Sequence, residues 1–95
     1  MSDPTLLVLT SLADGDKHGY AMMEDIQSFA GVRLGPGTLY GAITRLEERG
    51  WIRPVKSQDR RQPYSITAAG RAFLRDELKQ MNKVASTAAR RLRPA

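Results

Sequence analysis

The sequence predicts a mainly α-helical fold with one small β-hairpin inserted before the last helix. Three observations predict it. Apolar residues recur at helical spacing in three short segments before residue 50. Two β-prone segments then flank a polar stretch. A long stripe at alternating spacings of 4 and 3 closes the chain.

The first helix opens at Asp3-Pro4, where Asp can cap exposed amides and Pro fits a position whose N–H would have no partner. Leu6, Leu9 and Leu12, with Val8, carry it until Asp14-Gly15 breaks the run. Asp16 is the next candidate cap, for a second helix near residues 17–30 whose apolar set is Tyr20, Met22, Met23, Ile26, Phe29 and Ala30. Gly31 ends it, and Val32-Arg33-Leu34 reads as a very short β-prone bridge. The third helix starts at Gly35-Pro36-Gly37-Thr38, with Leu39, Ala42, Ile43 and Leu46 as its apolar stripe and Gly50 as its left-handed stop.

Beyond Gly50 the texture changes. Residues 51–56 and 63–67 both read as extended, joined by the polar Ser57-Gln58-Asp59-Arg60-Arg61-Gln62, which makes a hairpin with a basic tip. Pro54 and Pro63 cannot donate to a ladder, so both strands are expected to be edges or irregular. Thr67 or Ala68 starts the last helix, which runs to about Leu92. Its residues Leu74, Leu78, Met81, Ala85, Ala88 and Leu92 are spaced 4, 3, 4, 3, 4, a heptad-type seam.

Helix, helix, helix, hairpin, helix is the order of a winged helix-turn-helix. The division expected is a winged DNA-binding unit over 1–67 and a C-terminal dimerisation helix with a basic tail over 68–95. In that architecture the third helix is slim enough for the major groove, and the hairpin reaches the backbone beside it.

Composition narrows the chemistry. The chain has 95 residues, a net charge of +5 and 41% hydrophobic residues, which describes one small globular domain with a thin core. It has no cysteine, which removes disulfides, thiolate nucleophiles and cysteine metal sites, and its one histidine, His18, makes a histidine-rich metal site or a Ser/His/Asp triad hard to build unless a partner supplies groups. No catalytic residue, metal site or cofactor is expected. The apolar run Leu6–Leu9 is shorter than a secretory or membrane-spanning segment needs, so no membrane partner and a cytoplasmic location are expected.

The third helix offers the best candidate site. With its stripe turned inward, Gly37, Thr38, Gly41, Thr44 and Arg45 lie on or beside the outer face, and Glu48 with them. Small residues at 37 and 41 let the backbone come close to a duplex. Thr38, Tyr40 and Thr44 can hydrogen-bond phosphates or base edges, and Arg45 can pair with a phosphate or a guanine edge. Lys56, Arg60 and Arg61 supply a second basic cluster on the hairpin. Tyr20 packs its ring, and its hydroxyl is within reach of a phosphate. His18 reads as a local hydrogen-bonding residue rather than a ligand. The bland alternative is an amphipathic helix with a solvated face, which Glu47 and Glu48 fit; they stand in the last turn, where a helix entering N-terminus first has left the groove.

These segments resemble one family. His18-Gly19-Tyr20, Leu34-Gly35-Pro36-Gly37-Thr38-Leu39-Tyr40, Ile43 to Ile52 and Tyr64-Ser65-Ile66-Thr67-Ala68-Ala69-Gly70 look like the PadR family of transcriptional regulators, in order and over residues 5–75. The resemblance implies a repressor that binds an inverted-repeat operator in double-stranded DNA as a homodimer. Residues matching Thr38 and Tyr40 approach the DNA, and wing residues matching Arg60 and Arg61 touch its backbone. It also implies a small aromatic or hydrophobic effector in some members. The wing departs from the family pattern: a tip that is often glycine-containing is here Ser57-Gln58-Asp59.

The last helix has two readings. Phe73, Leu74 and Leu78 can be core residues packed on the first helix. Beyond residue 80 little domain is left to pack against, so Leu74, Leu78, Met81, Val84, Ala85 and Ala88 form the expected dimer seam. Arg90, Arg91 and Arg93 form a basic tail with disorder as its plain reading. Trp51 anchors the hairpin on the core; stacking on a ligand is its lesser reading. The competing function is a winged module that binds a protein or a ligand, with DNA binding secondary or lost.

Overall fold

The computed structural model describes residues 3–94. It contains α1 (Pro4–Leu12), β1 (Lys17–His18), α2 (Gly19–Ala30), α3 (Pro36–Glu48), β2 (Ile52–Pro54), β3 (Pro63–Ile66) and α4 (Ala68–Arg91). The winged helix-turn-helix expected from the element order is the fold observed.

Helix α1 is the hub. Asp3 caps it, its carboxylate accepting from Thr5 N at 3.0 Å. Leu7, Val8, Leu9 and Leu12 are all buried, so this helix is covered nearly all round rather than along one stripe. It meets Met22 and Ile26 of α2, Leu39, Ala42, Ile43 and Leu46 of α3, Ile66 of β3 and Leu74 of α4 in one cluster. Each leucine, isoleucine, valine or methionine of the cluster contributes roughly 1.5–3 kcal/mol when fully buried. Buried Ser11 is satisfied by donating to Asp25 Oδ2 at 2.7 Å, which ties α1 to α2. Lys17 Nζ then closes the α1–β1 turn by donating to Ser11 O and to Asp14 Oδ1, both at 2.5 Å. That hydrogen bond and the Lys17 charge hold the Asp14 carboxyl below its ordinary pKa.

Five expectations are corrected. The hairpin belongs to a three-stranded antiparallel sheet of order β1-β3-β2, with Lys17 opposite Tyr64 and His18 opposite Pro63. The extra strand is Lys17–His18, whereas residues 32–34 run unpaired between α2 and α3. Strand β3 is therefore central, not an edge. Pro63 is tolerated there as its first residue, where it uses only its carbonyl, accepting from Val55 N at 3.1 Å. Helix α2 begins at Gly19, and its cap is His18 rather than Asp16: once residues 17–18 pair with β3, the last extended residue takes the capping role. Of the α2 apolar set, Tyr20 and Phe29 face outward.

The wing is fastened at its root. Trp51 stacks on Phe73 of α4 with ring centroids 3.8 Å apart and planes 16° from parallel, and Arg49 lies over the indole at 5.2 Å. Thr67 caps α4, accepting from Gly70 N at 3.1 Å while donating to Gly50 O at 2.7 Å. Gly50 itself holds the positive φ of +74° that ends α3. Helix α4 then leaves the body as an arm and gives the molecule a length of 59 Å against 26 and 20 Å across. It stays helical through Arg90 and Arg91, where the plain reading of the tail was disorder.

Candidate nucleic-acid interface

Helix α3 presents its outer face because four residues hold its inner one: Leu39, Ala42, Ile43 and Leu46 are buried to within 2%. Its N-cap is Gly35, which offers no side-chain bond to the first-turn amides, and Pro36 follows at N1. Gly37 is open; a Cβ there would meet nothing within 4 Å. Thr38 and Thr44 are exposed, and Tyr40 keeps 49% of its surface. Thr44 Oγ1 donates to Tyr40 O at 2.9 Å, so its hydroxyl faces outward as an acceptor. The Arg45 guanidinium folds back toward Gly41, with Nη1 3.6 Å from where a Cβ of Gly41 would stand. A long cation thus lies along a stretch of helix without bulk.

The wing achieves a tight tip without glycine. Ser57 Oγ accepts from Asp59 N at 3.0 Å, and Asp59 Oδ1 accepts from Arg60 N at 2.6 Å. Gln62 Nε2 closes the neck by donating to Val55 O at 2.9 Å and Pro63 O at 2.7 Å. Arg60 is exposed, and Arg61 Nη1 reaches within 3.2 Å of His18 Nε2.

Between wing tip, α2 and α3 lies a cleft of about 310 Å³ lined by His18, Gly19, Tyr20, Tyr40, Arg60, Arg61 and Gln62. Four of the residues singled out in the sequence, Tyr20, Tyr40, Arg60 and Arg61, therefore converge. Gly37, Thr38, Gly41, Thr44 and Arg45 occupy the adjoining face of α3, and Lys56 is exposed at the foot of the wing. Sequence reasoning missed His18, Gly19 and Gln62 as parts of this surface. The signal was there for His18, since pairing of its strand with Pro63 is what carries it to the wing.

Charge is arranged in two parts. Ten basic and ten acidic residues cancel over residues 1–77, and the whole excess stands on α4 and its end, at Lys79, Lys83, Arg90, Arg91 and Arg93. The candidate surface is not neutralised locally, however. Among the described residues the one ion pair within 4.0 Å joins Lys17 to Asp14, so Arg45, Lys56, Arg60 and Arg61 keep their charges free. Tyr64, on the strand beside the wing, has its phenol pushed above its ordinary pKa by burial, with smaller contributions from Glu47 and Tyr40.

The arm carries the other candidate residues. Leu74 is 8% exposed and belongs to the core of this chain, whereas Leu78, Met81 and Val84 are 46%, 48% and 68% exposed, with Ala85 and Ala88 open beside them. Trp51 is committed to Phe73 and Arg49, as its anchoring role requires. Among the described residues there is no cluster of His, Asp and Glu that could hold a metal ion, and no helix long and apolar enough to cross a membrane.

Comparison with known proteins places this geometry. The chain is 45% identical over 83 residues to an uncharacterized 37.1 kDa protein in transposon TN4556 of Streptomyces fradiae; the match takes in 87% of this chain but 24% of that protein. It is 36% identical over 84 residues to the transcriptional regulator Rv3488 of Mycobacterium tuberculosis, covering 84% of this chain and 77% of that one. Among solved structures, a PadR family transcription regulator from Clostridium difficile R20291 superposes with a TM-score of 0.84 at 23% identity, over 95% of this chain and 98% of that chain, a likeness of fold. The sequence profile of the transcriptional regulator PadR-like family matches residues 8–76, and the chain belongs to that family.

Proposed function

We propose that this chain is a sequence-specific repressor that binds an inverted-repeat operator as a homodimer, with α3 in the major groove and the wing on the backbone. The observation that carries the reading is the outer face of α3. It is free of large side chains at Gly37 and Gly41, carries unpaired Arg45, and continues into a cleft bordered by Arg60 and Arg61. Thr38, Tyr40, Thr44 and Arg45 are the residues assigned to the groove, and Lys56, Arg60 and Arg61 those assigned to phosphates.

The arm supports the dimer. Leu78, Met81, Val84, Ala85 and Ala88 leave an apolar surface on a helix that no other described residues cover. A second copy packed antiparallel or at a shallow angle buries that seam and sets two α3 helices about 34 Å apart, one turn of duplex. A small hydrophobic effector would enter beside the same seam, where Val84, Ala88 and Leu92 line a groove.

Sedimentation equilibrium of the protein and of a Met81→Glu/Val84→Glu variant, paired with footprinting, tests the proposal. It predicts a dimer that protects two half-sites and a variant that is folded, monomeric and weak on DNA. A monomer that protects a full inverted repeat contradicts it.

A further inference from the structure

His18 faces two demands that one neutral imidazole cannot meet. As the cap of α2 it accepts through Nδ1 from Ala21 N at 3.3 Å. Its Nε2 lies 3.2 Å from Arg61 Nη1. Arginine can only donate, and a neutral imidazole has one lone pair with which to accept. With that lone pair committed to the cap, Nε2 carries the proton, and two donors face each other. Both border the 310 Å³ cleft, whose other polar side chains include the Tyr20 and Tyr40 hydroxyls and Arg60. Among the described residues no carboxylate lines it.

We propose that His18 Nε2–H and the Arg61 guanidinium form an oxyanion site for one phosphate of the DNA backbone, a non-bridging oxygen accepting from both. The inference rests on the DNA-binding reading and deepens it. An acceptor oxygen between the two donors removes their conflict, and its charge favours short, strong bonds to Arg61. Phosphate is the oxyanion the surroundings select, because the cleft opens beside the outer face of α3, where a duplex backbone passes. His18 is on β1 and Arg61 on the wing, so the bound phosphate also fixes the wing tip against the start of α2.

His18→Asn separates the two duties of the residue. Asn is a favoured N-cap and keeps the acceptor for Ala21 N, but has nothing to present to the phosphate at the position of Nε2. The variant is expected to unfold at the same temperature as the parent and to bind any duplex about tenfold more weakly. Its salt slope should be unchanged, since a neutral donor displaces no counterion, whereas Arg61→Ala should lower the slope by about 0.9. Methylphosphonate substituted at each backbone position in turn identifies the phosphate: one position per half-site should weaken the parent about tenfold and leave the His18→Asn/Arg61→Ala variant unaffected.

His18 is the chain's one histidine, so its imidazole gives a single assignable set of nitrogen resonances. They should report the Nε2–H form in the free protein and shift on addition of the duplex. An Nδ1–H form, or DNA binding with no shift at His18, overturns the oxyanion site and leaves the DNA reading standing. A shift with inorganic phosphate but no binding to any duplex supports the oxyanion site and removes DNA as its source. No response to either ligand overturns the site as well.

Discussion

The hydroxyl end of Tyr40 rests directly against the α-carbon of Gly19. A Cβ at residue 19 would overlap the Tyr40 oxygen and stand 2.8 Å from Cζ. Helix α3 and the start of α2 thus meet at a point where only hydrogen fits, and the ring of a half-exposed tyrosine is aimed by that contact.

Gly19→Ala should therefore act on binding more than on folding. The neighbour that must give way is the far end of a side chain, which can swing into solvent, so stability should change by less than about 1 kcal/mol. Affinity for DNA should fall about tenfold as Tyr40 leaves its position. Thermal unfolding together with anisotropy of a labelled duplex checks both; undiminished affinity would remove Tyr40 from the interface.

Gly70→Ala should do the opposite. A Cβ at residue 70 would overlap the carbonyl of Trp51 and stand 2.9 Å from Ile66 Cγ1. That carbonyl is backbone, held by Thr67 N at 3.0 Å, and cannot rotate away. Crowding of this kind costs about 2–3 kcal/mol, which in a domain this small lowers Tm by roughly 10–20 °C. A calorimetric scan at unchanged Tm would show that α4 is not seated on the wing root in this way.

Arg60→Ala/Arg61→Ala should weaken binding equally on specific and scrambled duplexes. Each phosphate contact contributes about 0.9 to the slope of log K against log salt, so the slope should fall by about two. A salt titration with an unaltered slope would take the wing off the backbone.

Alkaline pH should destabilise the fold through Tyr64. Burial favours its neutral phenol, so its folded pKa lies above the unfolded value of 10.0. Its contribution is complete below that unfolded value and is lost as pH rises through the folded one. Tyr64→Phe should remove that loss, and with it the component of the ultraviolet phenolate titration that ionises above the ordinary range. A titration that Tyr64→Phe leaves unchanged would contradict the assignment.

Helices α1, α3 and α4 were legible in the sequence because local signals agree with the tertiary outcome there: Asp3-Pro4 and Thr67 cap, Gly50 stops, and apolar residues keep a helical period. Strand β1 was not. Two residues carry no period, and Lys17–His18 becomes a strand only because Pro63–Tyr64 arrives alongside, more than forty residues later. The shift of the α2 cap from Asp16 to His18 has the same origin. The face of α3 could be read from its buried stripe, whereas the cleft could not, since His18, Tyr40 and Arg61 meet only through the folded sheet. Leu74 shows the limit of a heptad pattern. Its spacing places it in the seam, but α1 already covers it.

Recognition of a specific duplex by α3 is tested by competition binding. A duplex selected by the protein from a random pool is compared with a scrambled one at low and high salt. The selected duplex should be preferred even at the higher salt, and Thr38→Ala/Arg45→Ala should abolish that preference. Equal and strongly salt-sensitive binding to both duplexes would contradict it.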